Sequence, residues 1–369
     1  MIKIKYPVLL NEITEFNKLY IEYLNFKTIE VRKIDSLLSR VEWRNSELNF
    51  EVLLTSPIEH LSQINKLIFH HLTVFQLEEL YEYFDYEKSQ SKIARFFMSQ
   101  RWVKFDSCYY CNIDSIFSFS DALEYLNPLD FINHASEKEL QLIEGLGAEK
   151  SIEIIRKRNN FPFSNTDDIP VGPIVRDRIQ RLELKKSHNH FTIDHFHHKD
   201  QFNFLSLSLY NFVPSCYACN SKFKKTKSVG PLKSTYLVSP SSKKFSQNTA
   251  FSFKLYMTKA LHEIKKIDDF VLRYKVPGGQ SAYTDFLDTF KIMGRYHYYK
   301  SDAFDLIQKK VEYPESRIKE IANTLGKSHD EMRADLFGKE YFDSAYDQKS
   351  LIKFKRDIAK QIKLLGVID

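Results

Sequence analysis

Apolar residues recur at helical spacing along most of this chain. Ile64, Leu67, Ile68, Leu72, Phe75 and Leu80 form one such stripe, and Lys92–Trp102 carries another. Residues 1–107 therefore predict mainly helix, after a short strand at Ile2–Tyr6. Residues 142–158 read as helix, glycine turn and helix, with a looser echo at Val171–Ile179. The pattern changes at His190–His195, where Phe191 and Ile193 alternate with polar residues and predict a short strand ending at Asp194-His195. Leu205–Phe212 is apolar enough for a second strand or a tight loop, and a helix is expected to begin near Cys219. From about residue 245 onward the pattern is again helical. Phe286, Phe290, Ile292, Met293, Ile307, Ile318 and Ile321 supply core faces, and residues 354–362 form a basic amphipathic helix. The fold class expected is mainly α with a small α+β module.

Composition narrows this picture modestly. The 369 residues are 43% hydrophobic and 28% charged, which is ordinary for a globular protein of two or three packing units. No apolar run approaches the roughly 18 residues needed to cross a bilayer. Residues 1–6 lack an apolar stretch followed by a small-residue cleavage site, so a cytoplasmic location is expected. The net charge of +6 permits a polyanionic partner without requiring one. Local clustering says more: Lys222, Lys224, Lys225, Lys227, Lys233, Lys243 and Lys244 occur in a stretch with no acid. This reads as a phosphate-facing surface or as a solvated loop.

All four cysteines fall in two Cys-x-x-Cys pairs, Cys108-Tyr109-Tyr110-Cys111 and Cys216-Tyr217-Ala218-Cys219. In an intracellular chain such pairs read as metal or redox chemistry, and neither has the βαβ surroundings of a thioredoxin-like site. Four thiolates close a tetrahedral zinc site, each pair offering two sulfurs to one ion. Residues 112–215 separate the pairs, a gap that implies an insertion into a zinc-bound module. The divisions expected are an N-terminal helical region 1–107, a zinc module built from 108–112 and 188–235, an insertion 113–187, and a C-terminal helical region 236–369.

The insertion carries Gly145-Leu146-Gly147 ahead of a helix. This resembles the helix-hairpin-helix fold of DNA-binding proteins, in which turn amides hold a phosphate. Gly145, Gly147 and Lys150 are the residues the resemblance singles out. The second hairpin departs from it, with Val171-Gly172-Pro173 removing an amide donor. A small helical packing unit is the alternative. His70-His71 point in different directions on a helix, which favours packing or surface roles.

Beside the second cysteine pair stand Asp194-His195, Asn211 ahead of Val213-Pro214-Ser215-Cys216, and Cys219-Asn220-Ser221-Lys222. Together with the two Cys-x-x-Cys pairs these resemble the HNH endonuclease family in its four-cysteine, zinc-stabilised form. The lysine of the closing motif comes early here, so Lys224 is a second candidate for its role. The resemblance implies a ββα-metal core with one catalytic divalent ion. His195 would be the general base, Asp194 and Asn220 would hold the ion, and Asn211 would fix the loop and orient the histidine. Elementary chemistry agrees with these roles. A histidine of ordinary pKa activates water at neutral pH, and an oxygen-rich site suits Mg²⁺ or Mn²⁺. Lys199, Lys222 and Lys224 are candidate phosphate contacts; His197 and His198 either contact phosphate or cover the loop.

The activity expected is hydrolysis of DNA phosphodiester bonds, RNA remaining open. A likeness of the Leu207–Cys216 run and the helical tail to HNH effectors of bacterial anti-phage systems implies a defence role. Some of those effectors work with an ATPase partner, for which the terminal regions are docking candidates. The alternatives are a non-catalytic zinc module binding nucleic acid or protein, and a stand-alone restriction or homing nuclease.

Overall fold

The apolar stripes of the first hundred residues become six helices, Leu10–Leu24, Thr28–Leu38, Phe50–Thr55, Ile58–His71, Val74–Tyr81 and Tyr86–Ser99. The structure, a computed structural model, describes all residues except 1, 101, 121–124, 126, 183–186, 228, 230–234, 246–250, 278–280 and 365–369. Local chemistry explains the helix starts. Asn49, Thr73 and Asp85 accept the first-turn amides of Val52, Gln76 and Lys88, which have no partner inside the helix. Ile2–Tyr6 is not a strand. Ile2 donates to the Tyr109 carbonyl and Ile4 to that of Pro240, so its backbone bonds reach two separate segments and no ladder forms.

The chain divides into two compact units. One comprises Met1–Phe117 with Phe191–Asp369, the other Ser118–His190. In the first, the terminal regions and both cysteine pairs share one hydrophobic core, in which Phe16, Tyr20, Phe96, Phe97, Phe212 and Phe354 are fully enclosed. It holds three small antiparallel pairs, Glu42–Trp43 with Ser46–Glu47, Thr192–His195 with Phe212–Ser215, and Ser252–Met257 with Phe270–Lys275. The last of these corrects the expectation of helix throughout the C-terminal region. Phe253 and Leu255 face Tyr274 and Leu272 across the hairpin, a period-two burial pattern inside a lysine-rich stretch. Helices Ser281–Thr289, Ile292–His297, Lys300–Glu312, Glu315–Leu325, His329–Phe337 and Ile352–Gln361 complete this unit. Among the described residues no helix is long and apolar enough to cross a membrane.

The second unit packs its own core from Phe131, Ile132, Leu140, Ile143, Leu146, Ile154, Phe163, Ile169 and Ile179. Strand Phe117–Ser120 pairs with strand Ser187–His190 at its ends. The expected strand over His190–His195 is thus two strands broken at Phe191, whose ring stacks on Phe105 at 4.5 Å. Gly145 adopts φ +89°, and a Cβ there would meet Val175 and Arg178 at 3.1 and 3.2 Å, so only glycine suits this turn. Gly147 and Gly172 each precede a helix, Ala148–Asn160 and Pro173–Gln180. Arg178 donates to the Glu144 carbonyl at 2.6 Å and closes the turn.

Candidate metal centre and its neighbouring polar cluster

Each cysteine pair sits on a tight knuckle. In the first, Asn112 donates to the Cys108 carbonyl, and Ile113 gives its amide to the Cys111 sulfur at 3.4 Å. In the second, the amide of Cys219 points at the Cys216 sulfur, also at 3.4 Å. The ligand atoms of all four cysteines lie within 4.8 Å of one another and all four residues are buried. A zinc–thiolate tetrahedron with bonds of about 2.3 Å has edges of about 3.8 Å, so this set can hold a metal ion such as zinc. Among the described residues it is the single grouping of three or more His, Cys, Asp or Glu side chains close enough to do so.

Arg295, on helix Ile292–His297, reaches the centre from far along the sequence. Its guanidinium donates to Cys219 Sγ at 3.2 Å and Cys111 Sγ at 3.4 Å, and it pairs with Asp114 at 2.7 Å. A four-thiolate zinc site carries two excess negative charges, and this cation offsets one of them. Without a metal the thiols are unequal. Burial opposes ionisation of Cys111, yet hydrogen bonds from the other three cysteines and the Arg295 charge hold its pKa well below the usual thiol range. Cys219 is pushed up, chiefly by burial.

The first knuckle also grips the expected catalytic carboxylate. Tyr110, between Cys108 and Cys111, donates its hydroxyl to Asp194 Oδ2 at 2.5 Å. Asp194 and His195 end the strand Thr192–His195, paired with Val213 and Phe212. His195 is buried between Tyr86 and Phe212, with ring centroids 4.4 and 5.1 Å away. Its Nε2 lies 2.8 Å from the Ser206 carbonyl, which can only accept, so the proton resides on Nε2 and Nδ1 is the basic nitrogen. Burial pushes the His195 pKa down to about 3. The same cause takes the adjoining His197 down to about 4, and its buried Nε2 has no partner.

Asn211 closes the loop between the two strands. Its side chain accepts from the His197 amide at 2.7 Å and donates to the carbonyls of His197 at 3.0 Å and Leu205 at 3.1 Å. The expected strand or loop over Leu205–Phe212 is two tight turns, Asn203–Leu205 and Leu209–Asn211, and the strand begins at Phe212. N-terminal helices pin this loop. Ser206 and Ser208 donate to the carbonyls of Phe84 and Leu53, and Tyr20 donates to that of Leu207. Asn211→Ala leaves three buried backbone groups without partners, so a destabilisation of about 3 kcal/mol is expected in urea melts. A midpoint equal to the wild type's would contradict this role.

The closing motif differs most from its sequence reading. Residues Ala218–Lys224 wind as a π-helical turn, with Lys225 donating to the Asn220 carbonyl five residues back at 2.9 Å. Lys224 is thereby turned inward and fully buried. Its ammonium lies 3.2 Å from Asp194 Oδ1, 3.0 Å from Asp194 Oδ2 and 2.7 Å from the His195 carbonyl. As placed it faces no phosphate, contrary to the surface role expected from the lysine cluster. Burial raises the Asp194 pKa above its ordinary value, against the pull of Lys224 and Tyr110. Both oxygens are therefore engaged, and the position beside Asp194 that a divalent ion would take is held by an ammonium. In this arrangement the residues do not fit a catalytic metal.

The remaining candidates are scattered. Asn220 is half-buried on the π-helical turn, and Lys222 is exposed beside the Phe223 ring. Lys199 lies over the Tyr86 ring and pairs with Glu87 at 3.7 Å, along a cleft of about 590 Å³ whose walls include Glu82, Asp85 and Asp200. Carboxylates outnumber lysines there, so this cleft disfavours a polyanion. Lys233 lies outside the described residues. Gly145, Gly147 and Lys150 belong to the second unit, where exposed Lys150 pairs with Glu153 at 2.7 Å. Comparison with known protein families, with curated proteins and with solved structures finds no match for this chain.

The two buried histidines set an acid limit on stability. Their folded pKa values of about 3 and about 4 lie below the ordinary 6.5, so the unfolded chain takes up protons first as pH falls. Stability from keeping them neutral is complete above about pH 6.5 and drains away through about pH 3, at up to about 1.4 kcal/mol per unit for each. Urea melts between pH 7.5 and 5.5 should show this slope, and His197→Phe should reduce it. An equal slope in that variant would assign the dependence to the thiolates instead.

Proposed function

We propose that this chain is an HNH-type endonuclease that hydrolyses DNA backbones, acting in anti-phage defence. The observation that carries the reading is the placement of His195. It ends the first of two antiparallel strands, with Nε2 committed to the Ser206 carbonyl and Nδ1 left as a base, and the helical turn bearing Asn220 follows the second strand. A neutral imidazole held in one tautomer takes a proton from water, the first requirement of phosphodiester hydrolysis. Asn211 holds the loop that carries Ser206, and Tyr110 holds the carboxylate beside the base. The thiolate cluster serves as scaffold, and exposed Lys222, Lys225 and Lys227 on one segment provide phosphate contacts. Mg²⁺ or Mn²⁺ is the ion this chemistry calls for. The hairpin turn at Gly145–Gly147 supplies further duplex contact, and an ATPase is the partner the defence reading names.

The burial of Asp194 and His195 favours a second reading, a non-catalytic zinc module that binds nucleic acid or protein. One assay separates the two. Zinc-loaded protein incubated with supercoiled plasmid and Mg²⁺ or Mn²⁺ should nick it, and His195→Ala should not. Equal behaviour of the two proteins under every ion, with and without a candidate ATPase, would leave only the binding module. Cut ends sharing one fixed motif would point to a restriction or homing nuclease.

A further inference from the structure

We propose that Lys224 is a resident cation that holds the Asp194 site shut, and that a divalent ion enters only by exchanging with its ammonium. The proposal rests on the nuclease reading and extends it to the regulation of the same site. Three oxygens surround Lys224 Nζ, two from the Asp194 carboxylate at 3.2 and 3.0 Å and the His195 carbonyl at 2.7 Å. A carboxylate and a main-chain carbonyl are the donors a hard divalent cation takes. The lysine thus sits in an oxygen nest of the kind such an ion uses, supplying one positive charge where the ion would bring two.

The two sides of this nest differ in mobility. Asp194 is fixed, because Tyr110 holds Oδ2 from inside the first cysteine knuckle and the strand pairing holds its backbone. Lys224 hangs on four methylenes from a π-helical turn, a conformation that is rare and concentrated at functional sites. Unwinding one residue of that turn to α-geometry rotates its side chain away from Asp194. Exchange therefore moves one ammonium out and one ion in while the other donors stay in place. A buried pair broken from one side leaves an uncompensated charge, so Lys224 leaves only when another cation replaces it.

The test uses the full zinc-loaded chain and bare Mn²⁺, with free ion counted by electron paramagnetic resonance. Lys224→Met, retaining zinc and native circular dichroism, should bind one Mn²⁺ roughly tenfold or more tightly than the wild type. Lys224→Met combined with Asp194→Asn should lose that gain. A Lys224→Met protein that binds no tighter than wild type, or a double variant that binds as tightly as the single one, overturns the proposal. Should Lys224→Met fail to fold, acetic anhydride labelling of the wild type decides. Lys224 should be protected without Mn²⁺ and modified at saturating Mn²⁺; protection at every Mn²⁺ concentration overturns the proposal. Mn²⁺ exchange without plasmid cleavage would sink the nuclease reading alone, and cleavage without exchange would sink this inference alone.

Discussion

Replacing Cys216 by Ser is expected to release the metal and lower the thermal midpoint by on the order of 10 °C or more. Structural zinc contributes on the order of 10 kcal/mol to folding because the unfolded chain has no preformed site, and a neutral hydroxyl is a poor substitute for a thiolate. The loss should spread well beyond the knuckle. Arg295 spans Cys111 and Cys219, and Tyr296 donates its hydroxyl to the Cys111 carbonyl at 2.8 Å. Asn112, next to Cys111, donates to the Ser107 hydroxyl and the Lys349 carbonyl and accepts from the Lys353 amide. The C-terminal helices are thereby anchored to the metal centre. Limited proteolysis of Cys216→Ser should open residues 281–361 together with the region around Cys108. A variant that retains zinc and melts with the wild type would remove the four-thiolate site from consideration.

These anchors also show what was legible in the sequence and what was not. The cysteine pairs declared themselves by spacing, because two thiolates three residues apart on a turn already point at one ion. The N-terminal helices were legible from the 3.6-residue recurrence of Ile64, Leu67, Ile68 and Leu72. Arg295 left no such mark. Its nearest partner in the chain is Asp114, and a lone arginine on an ordinary helix carries no sign that it will meet sulfur. The C-terminal hairpin was misread because Lys254, Arg273 and Lys275 occupy its outward positions and mimic the polar face of a helix. Ser252–Met257 did carry a short alternation, the signal that would have found it.

In the polar cluster, residue identity was easier to read than residue state. Asp194, His195 and Asn211 stand out by type and spacing. Tyr110 gave a weaker clue, an aromatic inside a metal knuckle whose hydroxyl needs a buried acceptor. Lys224 looked like one lysine of a basic run, since nothing in its neighbours distinguishes an outward ammonium from an inward one. The distinction comes from the π-helical turn, which a one-dimensional pattern does not encode. Burial adds a second difference. A histidine read at its ordinary pKa is a good base at neutral pH, whereas enclosure by Tyr86 and Phe212 pushes His195 to about 3. On the nuclease reading, substrate binding must admit water to this ring and raise its basicity.

His195→Ala is accordingly expected to lower plasmid cleavage by about 100- to 10,000-fold, the usual contribution of a positioned general base. Alanine also empties space between Tyr86 and Phe212 and frees the Ser206 carbonyl, so some loss of stability is expected and would blur the result. His195→Gln separates the effects. A glutamine amide can donate to the Ser206 carbonyl as Nε2 does, while offering no basic nitrogen. That variant should keep its zinc and a near-native urea midpoint, yet cleave as poorly as the alanine variant. A glutamine variant that cleaves like the wild type would place the base elsewhere, with partly exposed His198, 3.6 Å from Asp200, the next group to replace. If both variants retain activity in proportion to their folded fraction, His195 is a packing residue and the nuclease reading loses the observation that carries it.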